Sequence, residues 1–158
     1  ELGNGLIVTN GDQTDTIRDF LKDGKTFEEA LRTRTFEDDM PNCTPRISGI
    51  VEVKDGAAMY KLSILKSADP EGSACTRHFF EYPALKGVGH FIHTYETNGD
   101  PIPTFFGEPE RVALEGDIDT FTASVWESLN EDNKISLFVR FTNVETGEFA
   151  QRILNKNQ

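Results

Sequence analysis

The chain has 158 residues, 37% hydrophobic and 27% charged, with 27 acidic against 16 basic side chains and a net charge of −11. That is one domain's worth of chain, long enough to bury a core of its own, and no apolar run approaches the roughly 20 residues needed to span a bilayer. So acidic a surface repels phosphate backbones and anionic membranes, so neither nucleic acid nor membrane is expected as a partner; a cationic small molecule would be drawn to any cleft.

The chain opens on Glu1 rather than Met, and removal of an upstream segment such as a signal peptide is expected. Thr14–Leu21 reads as a short helix, capped by Asp12 or Thr14, with Ile17, Phe20 and Leu21 at helical spacing and Gly24 as a stop. Residues 25–36 fit two patterns. Thr26 and Glu29 have the spacing of a capping box, and Phe27, Ala30 and Leu31 follow a helix, whereas Phe27, Glu29, Leu31, Thr33 and Thr35 would share one face of a strand.

From Arg46 onward the pattern reads as strands. Ile47–Val53 and Ala58–Leu65 flank the hairpin turn Lys54-Asp55-Gly56. Thr76–Tyr82, Val88–Glu96, Ile102–Phe106, Arg111–Glu115, Ile118–Ser128, Ile135–Thr142 and Glu148–Leu154 follow, separated by turn residues such as Pro83, Gly87 and Asn98-Gly99. Eight to ten short strands in a meander favour closure into a barrel, and a barrel of about eight strands can hold one small ligand. Cys43 and Cys75 are an even pair at long separation, the pattern of one disulfide in an extracellular domain, which would contribute roughly 3–4 kcal/mol; two buried free thiols are the other reading. Asn42-Cys43-Thr44 has the form of a glycosylation sequon.

Several short motifs resemble the lipocalins. Gly116-Asp117-Ile118-Asp119-Thr120-Phe121 looks like the lipocalin motif opening the seventh strand, with Ile118 at the usual Tyr position. Ser136-Leu137-Phe138-Val139-Arg140 is similar to the strand whose Arg closes the barrel base, and residues 31–39 followed by Cys43 are similar to the first strand of tick salivary lipocalins. The Gly-x-Trp signature is missing, and the single Trp is Trp126. The resemblance implies a single domain over 1–158: an all-β, eight-stranded antiparallel up-and-down barrel with a short N-terminal helix, in which 25–36 is a strand. It also implies a secreted, monomeric, non-enzymatic scavenger of a biogenic amine such as histamine or serotonin, or of a lipid mediator, which would suppress host inflammation or haemostasis. A lipocalin that inhibits a host protease or complement component through its loops is the alternative; an enzyme on an α+β fold, with both N-terminal segments helical, is a third.

Phe91, His93 and Tyr95 alternate on one strand face, and Phe80 and Tyr82 share another. Such residues are either core or the lining of a cavity with a few orienting polar groups. With Phe27, Tyr60, Glu110, Trp126 and Arg140 they form the expected ligand-binding set, Glu110 as a carboxylate for an ammonium group and Arg140 as a plug at the closed end. His90 and His93 point to opposite strand faces, so no metal site is expected; without a nucleophile elbow, P-loop or dinucleotide fingerprint, no catalytic residue or cofactor is expected either.

Overall fold

The computed structural model describes residues 5–157. Strand β1 (Gly5–Thr9) precedes helices α1 (Gln13–Lys22) and α2 (Phe27–Arg32), and β2 (Arg46–Lys54), β3 (Ala57–Ser67) and β4 (Cys75–Pro83) follow. After these come β5 (Val88–Phe91), β6 (Glu110–Ala113), α3 (Ile118–Ser128), β7 (Ser136–Thr142) and β8 (Phe149–Asn155). Strands β1-β2-β3-β4 form one antiparallel sheet in sequence order, while β5-β6 and β7-β8 are separate pairs.

Local chemistry accounts for most of these elements. At the β2–β3 turn Asp55 and Gly56 have φ of 52° and 75°, the left-handed pair a two-residue hairpin needs. Helix α1 ends as Gly24 turns to φ 75°. In α2 the Thr26 hydroxyl accepts from Glu29 N at 3.1 Å, and Thr26 N donates back to the Glu29 carboxylate at 2.8 Å. The capping box therefore decides Phe27–Arg32, within the 25–36 segment, in favour of helix. Replacing Thr26 by Ala should cost about 1 kcal/mol, a drop of roughly 2–4 °C in melting temperature by calorimetry.

Register partners share a face, so Ile7, Ile50, Lys61 and Glu81 lie on one side of the sheet, with Ser48, Ser63 and Phe79 alongside. That side packs on the two N-terminal helices. Ile17, Phe27, Ala30, Leu31, Ile50 and Leu65 form the core, joined by Ile7, Phe20, Leu21, Cys75 and Phe79. Lys61 ties this layer to α2, donating to Glu28 at 2.8 Å and to Glu81 at 2.9 Å.

Burial opposes ionisation of Glu28, but the Lys61 hydrogen bond and the charges around it leave its carboxyl below the ordinary value. The Glu28 bond, acting against partial burial, holds Lys61 above its own. A lowered acid stabilises the fold above its unfolded value and loses that contribution as pH falls through its folded value; a raised base does the reverse at the alkaline end. Urea titrations should therefore show Lys61→Met less stable than wild type at pH 7, with the gap closing below about pH 4. A gap unchanged at pH 3 would remove the charge pair as its cause.

The opposite sheet face meets the strand pairs. Tyr60 of β3 bonds His90 of β5, and Lys66 Nζ donates to Phe105 O at 2.8 Å. A groove runs between Leu6, Val51, Val53 and Ala58 on the sheet and Arg140, Thr142 and Phe149 on the β7–β8 pair. Helix α3 lies outside that pair, with Phe121 on Phe141 (5.8 Å between centroids) and Asp119 bound to Arg152. The order is helices, sheet, strand pairs, helix.

Among the described residues there is no closed barrel, so the all-β expectation is corrected. A meander closes only if each strand pairs with the next, and β4 does not pair with β5. Ile118–Ser128, read as a strand, is α3. Asp117 accepts from Thr120 N and Thr122 Oγ1 bonds Ile118 O at 2.6 Å, local bonds that start a helix and accommodate its Thr residues. The expected strands 88–96 and 102–106 shrink to β5 and a single bridge between Tyr95 and Thr104. The expected disulfide is also corrected. Cys43 and Cys75 are free; Cys43 Sγ donates to Met40 Sδ at 3.0 Å and Cys75 Sγ to Thr76 O at 3.4 Å, so each thiol is engaged in its own neighbourhood.

Candidate functional site

The polar side chains concentrate where three irregular segments meet at the start of β2: the turn 10–13, the loop 33–45 and the loop 92–108. Loops on a rigid sheet are where functional groups gather. Gln13, with no exposed surface, donates to Ile47 O at 3.0 Å and Ser48 Oγ at 3.3 Å, and accepts from Arg46 at 3.1 Å. Arg46 also reaches Asp12 and lies 3.5 Å from Glu37. Arg34 donates to the other Asp12 oxygen at 2.5 Å. A Cβ on Gly11 would stand 2.7 Å from Arg46 Nη1 and 2.8 Å from Gln13 Oε1, so glycine lets these groups converge. The Arg34 hydrogen bond, supported by the charge of Arg46, holds the Asp12 carboxyl below its ordinary range.

A second chain of bonds crosses from loop to loop. Asp39 accepts from Thr44 N at 2.7 Å and from the Thr44 hydroxyl, and Thr44 Oγ1 lies 2.6 Å from Tyr95 OH. An ionised carboxylate only accepts, so the Thr44 proton goes to Asp39 and Tyr95 donates to Thr44. The lone pairs left on the Tyr95 oxygen can then take a proton, with Asp39 at the far end of the relay. His93 Nδ1 lies 2.6 Å from Tyr95 O; a carbonyl only accepts, so Nδ1 carries the proton and Nε2, 3.6 Å from Glu110, is the exchangeable nitrogen. Phe91 stacks on His93 at 5.1 Å and Phe105 meets it edge-on at 4.3 Å. Asn10 Nδ2 and Ile102 N complete the junction, donating to Pro45 O and Asn42 Oδ1.

Most of the residues expected to line one cavity separate into several places, although Tyr60, Phe91 and Arg140 border one hollow. Phe91, His93, Tyr95 and Glu110 come together at this junction. Tyr60 and Tyr82 meet at His90 instead, and Phe80 stacks on His78 at 6.5 Å. Phe27 is core, Trp126 lies on α3 under Lys134, and Arg140 stacks over Phe149 at 3.6 Å. With no barrel there is no shared barrel interior for them to line. Sequence reasoning missed Asn10, Asp12, Gln13, Arg34, Asp39, Thr44 and Arg46 as site residues. For Arg34, Asp39, Thr44 and Arg46 the signal was the density of charged and hydroxyl side chains in the stretch 33–46.

The arrangement defines a layered α and β protein with a loop-borne acid–base relay. The chain belongs to the family whose model is described as IMP cyclohydrolase-like protein, which matches residues 1–147. Comparison with curated proteins and with solved structures returned no match. The family overturns the lipocalin resemblance and, with it, the reading as a non-enzymatic salivary amine scavenger.

Proposed function

We propose that this chain is an enzyme of purine-nucleotide chemistry, adding or removing water at the six-membered ring of IMP or a close analogue. The observation that carries this reading is the Asp39–Thr44–Tyr95 relay, set beside His93 in a chain of the IMP cyclohydrolase-like family. Closing such a ring joins a carboxamide nitrogen to a formyl carbon and expels the formyl oxygen as water. One hydrogen of that water comes from the carboxamide nitrogen and one from the formamido nitrogen.

The chain supplies groups for both transfers. The Tyr95 oxygen, backed by Thr44 and Asp39, accepts the carboxamide proton. The relay returns that proton to the oxygen left by the addition. Nε2 of His93, 3.6 Å from Glu110, delivers the second proton as that oxygen departs as water and takes up the formamido proton in return. General acid–base groups work best when held within hydrogen-bond reach of such protons. Arg34 and Arg46 are cations bonded into the same junction, and they are assigned the anionic end of the nucleotide.

The test is direct: the purified chain is mixed with the formamido-carboxamide ribotide and the rise of purine absorbance is followed. Closure well above the uncatalysed rate is expected. No acceleration of closure, and none of the reverse hydrolysis of IMP, would sink the proposal.

A further inference from the structure

A second site lies between the sheet, the strand pairs and α3, beside the loop junction and bordered like it by Phe91. A hollow of about 760 Å³ is walled by Val88, Val112, Phe121, Val125, Leu137 and Val139, with Tyr60 and His90 at one side. The volume falls in the range of small-molecule sites, which are mostly apolar with a few convergent polar groups. The polar spot here is specific. Tyr60 OH lies 2.6 Å from His90 Nδ1, and the Tyr82 ring stacks on His90 at 3.7 Å and 10°. We infer that this hollow binds a planar, uncharged aromatic molecule, held by its flat faces and by one hydrogen bond to the Tyr60–His90 pair.

The chemistry of the walls selects that class. Burial pushes the phenols of Tyr60 and Tyr82 up from their ordinary value, so both stay protonated and neutral. Tyr60 donating to Nδ1 sets the tautomer of His90 with its ring hydrogen on Nε2. The pair therefore offers one N–H donor and the lone pairs of the phenol oxygen, which suit a hydroxyl, a carbonyl or a ring nitrogen. The one cation among the described residues of the lining, Arg140, has its guanidinium stacked on Phe149, so a phosphate or carboxylate would give up its water among largely apolar walls, at a cost they do not offset. Aromatic rings line the hollow: Tyr60, tilted against Tyr82 at 5.3 Å, and Phe121 and Phe141, tilted against each other at 5.8 Å. Aromatic ligands gain from such offset contacts. This site goes beyond the ring-closing reading and stands without it.

The probe is 2-naphthol, with 2-naphthoate as the charged control, titrated into the whole chain and followed by naphthol fluorescence and by the His90 ring signals in NMR. Saturable sub-millimolar binding of 2-naphthol that perturbs His90, weaker binding of 2-naphthoate, and no displacement by IMP are expected. Tyr60→Phe removes the hydroxyl and keeps the ring, and it should weaken binding roughly tenfold. Val112→Trp fills the hollow and should abolish binding; if its melting curve shows that it does not fold, the Tyr60→Phe comparison decides alone. Absence of saturable binding, displacement by IMP, or equal affinity in Tyr60→Phe would overturn the inference.

Discussion

Replacing Tyr95 by Phe is expected to lower the rate of ring closure by about 10²–10⁴-fold, the usual contribution of a positioned acid or base. The substitution removes one oxygen and leaves the ring, so the packing of the 92–108 loop is kept while the Asp39–Thr44 pair loses contact with substrate. Because proton transfer occurs in the transition state, kcat should carry the loss and KM should change little. Arg34→Met should show the opposite split, a raised KM with a smaller change in kcat, since it removes an anion partner rather than the proton acceptor. Steady-state rates on both variants read this difference. A Tyr95→Phe enzyme with wild-type kcat would remove the relay from the mechanism, even if the chain closes the ring.

That relay is invisible to a reading organised by strands. Tyr95 was expected to share a face with Phe91 and His93 in one strand, 88–96. Instead β5 stops at Phe91, and the segment beyond it folds across to Thr44. Two-residue alternation identifies neighbours only while the chain stays extended. The partners Asp39 and Thr44 lie over 50 residues away, on a loop with no periodicity to read. The hairpin at Lys54–Gly56 was legible because its cause is local: two residues able to adopt positive φ between apolar runs. The same holds for α1 and for β2, β3 and β4, whose residues alternate or repeat at one period throughout.

Where the reading failed, a local signal was present but outvoted. Ile118–Ser128 is rich in Thr, Val, Phe and Trp, residues that favour strands. Its helical evidence was the cap Asp117 and the spacing of Phe121, Val125 and Leu129, which all face the same hollow. The likeness of 116–121 to a lipocalin strand favoured the composition over the cap. With that element a helix, the run of paired strands is interrupted between β6 and β7 as well as between β4 and β5. β1 was missed for the opposite reason. Gly5–Thr9 is short and offers only Leu6, Ile7 and Val8 before a turn, and its strand state comes from pairing with residues 48–52 of β2.

Leu31 is the position where local signal and family likeness disagreed most directly, and it carries the largest expected effect on stability. As part of a first barrel strand, Leu31 would have shared a face with Phe27, Glu29, Thr33 and Thr35. In α2 it shares a face with Phe27 and Ala30, is wholly buried, and packs against Ile17, Ile50 and Leu65. Leu31→Ala removes three carbons from a site closed on one side by a helix and on the other by the sheet. Neither can collapse far into the space, because the Glu28–Lys61 bond and the Thr26 cap fix α2 at its start. A loss of about 2–5 kcal/mol is expected, out of a total of roughly 5–15 kcal/mol for a domain. Thermal unfolding should shift down by roughly 5–15 °C. Thr33→Ala is the contrast: its side chain, on an exposed residue, bonds Ala30 O, and a change within about 0.5 kcal/mol is expected. Equal losses at the two positions would mean that the segment does not pack through a helical face. Because α2 runs directly into the loop that holds Arg34, Asp39 and Thr44, the Leu31→Ala enzyme should also lose ring-closing activity at temperatures well below its own unfolding midpoint.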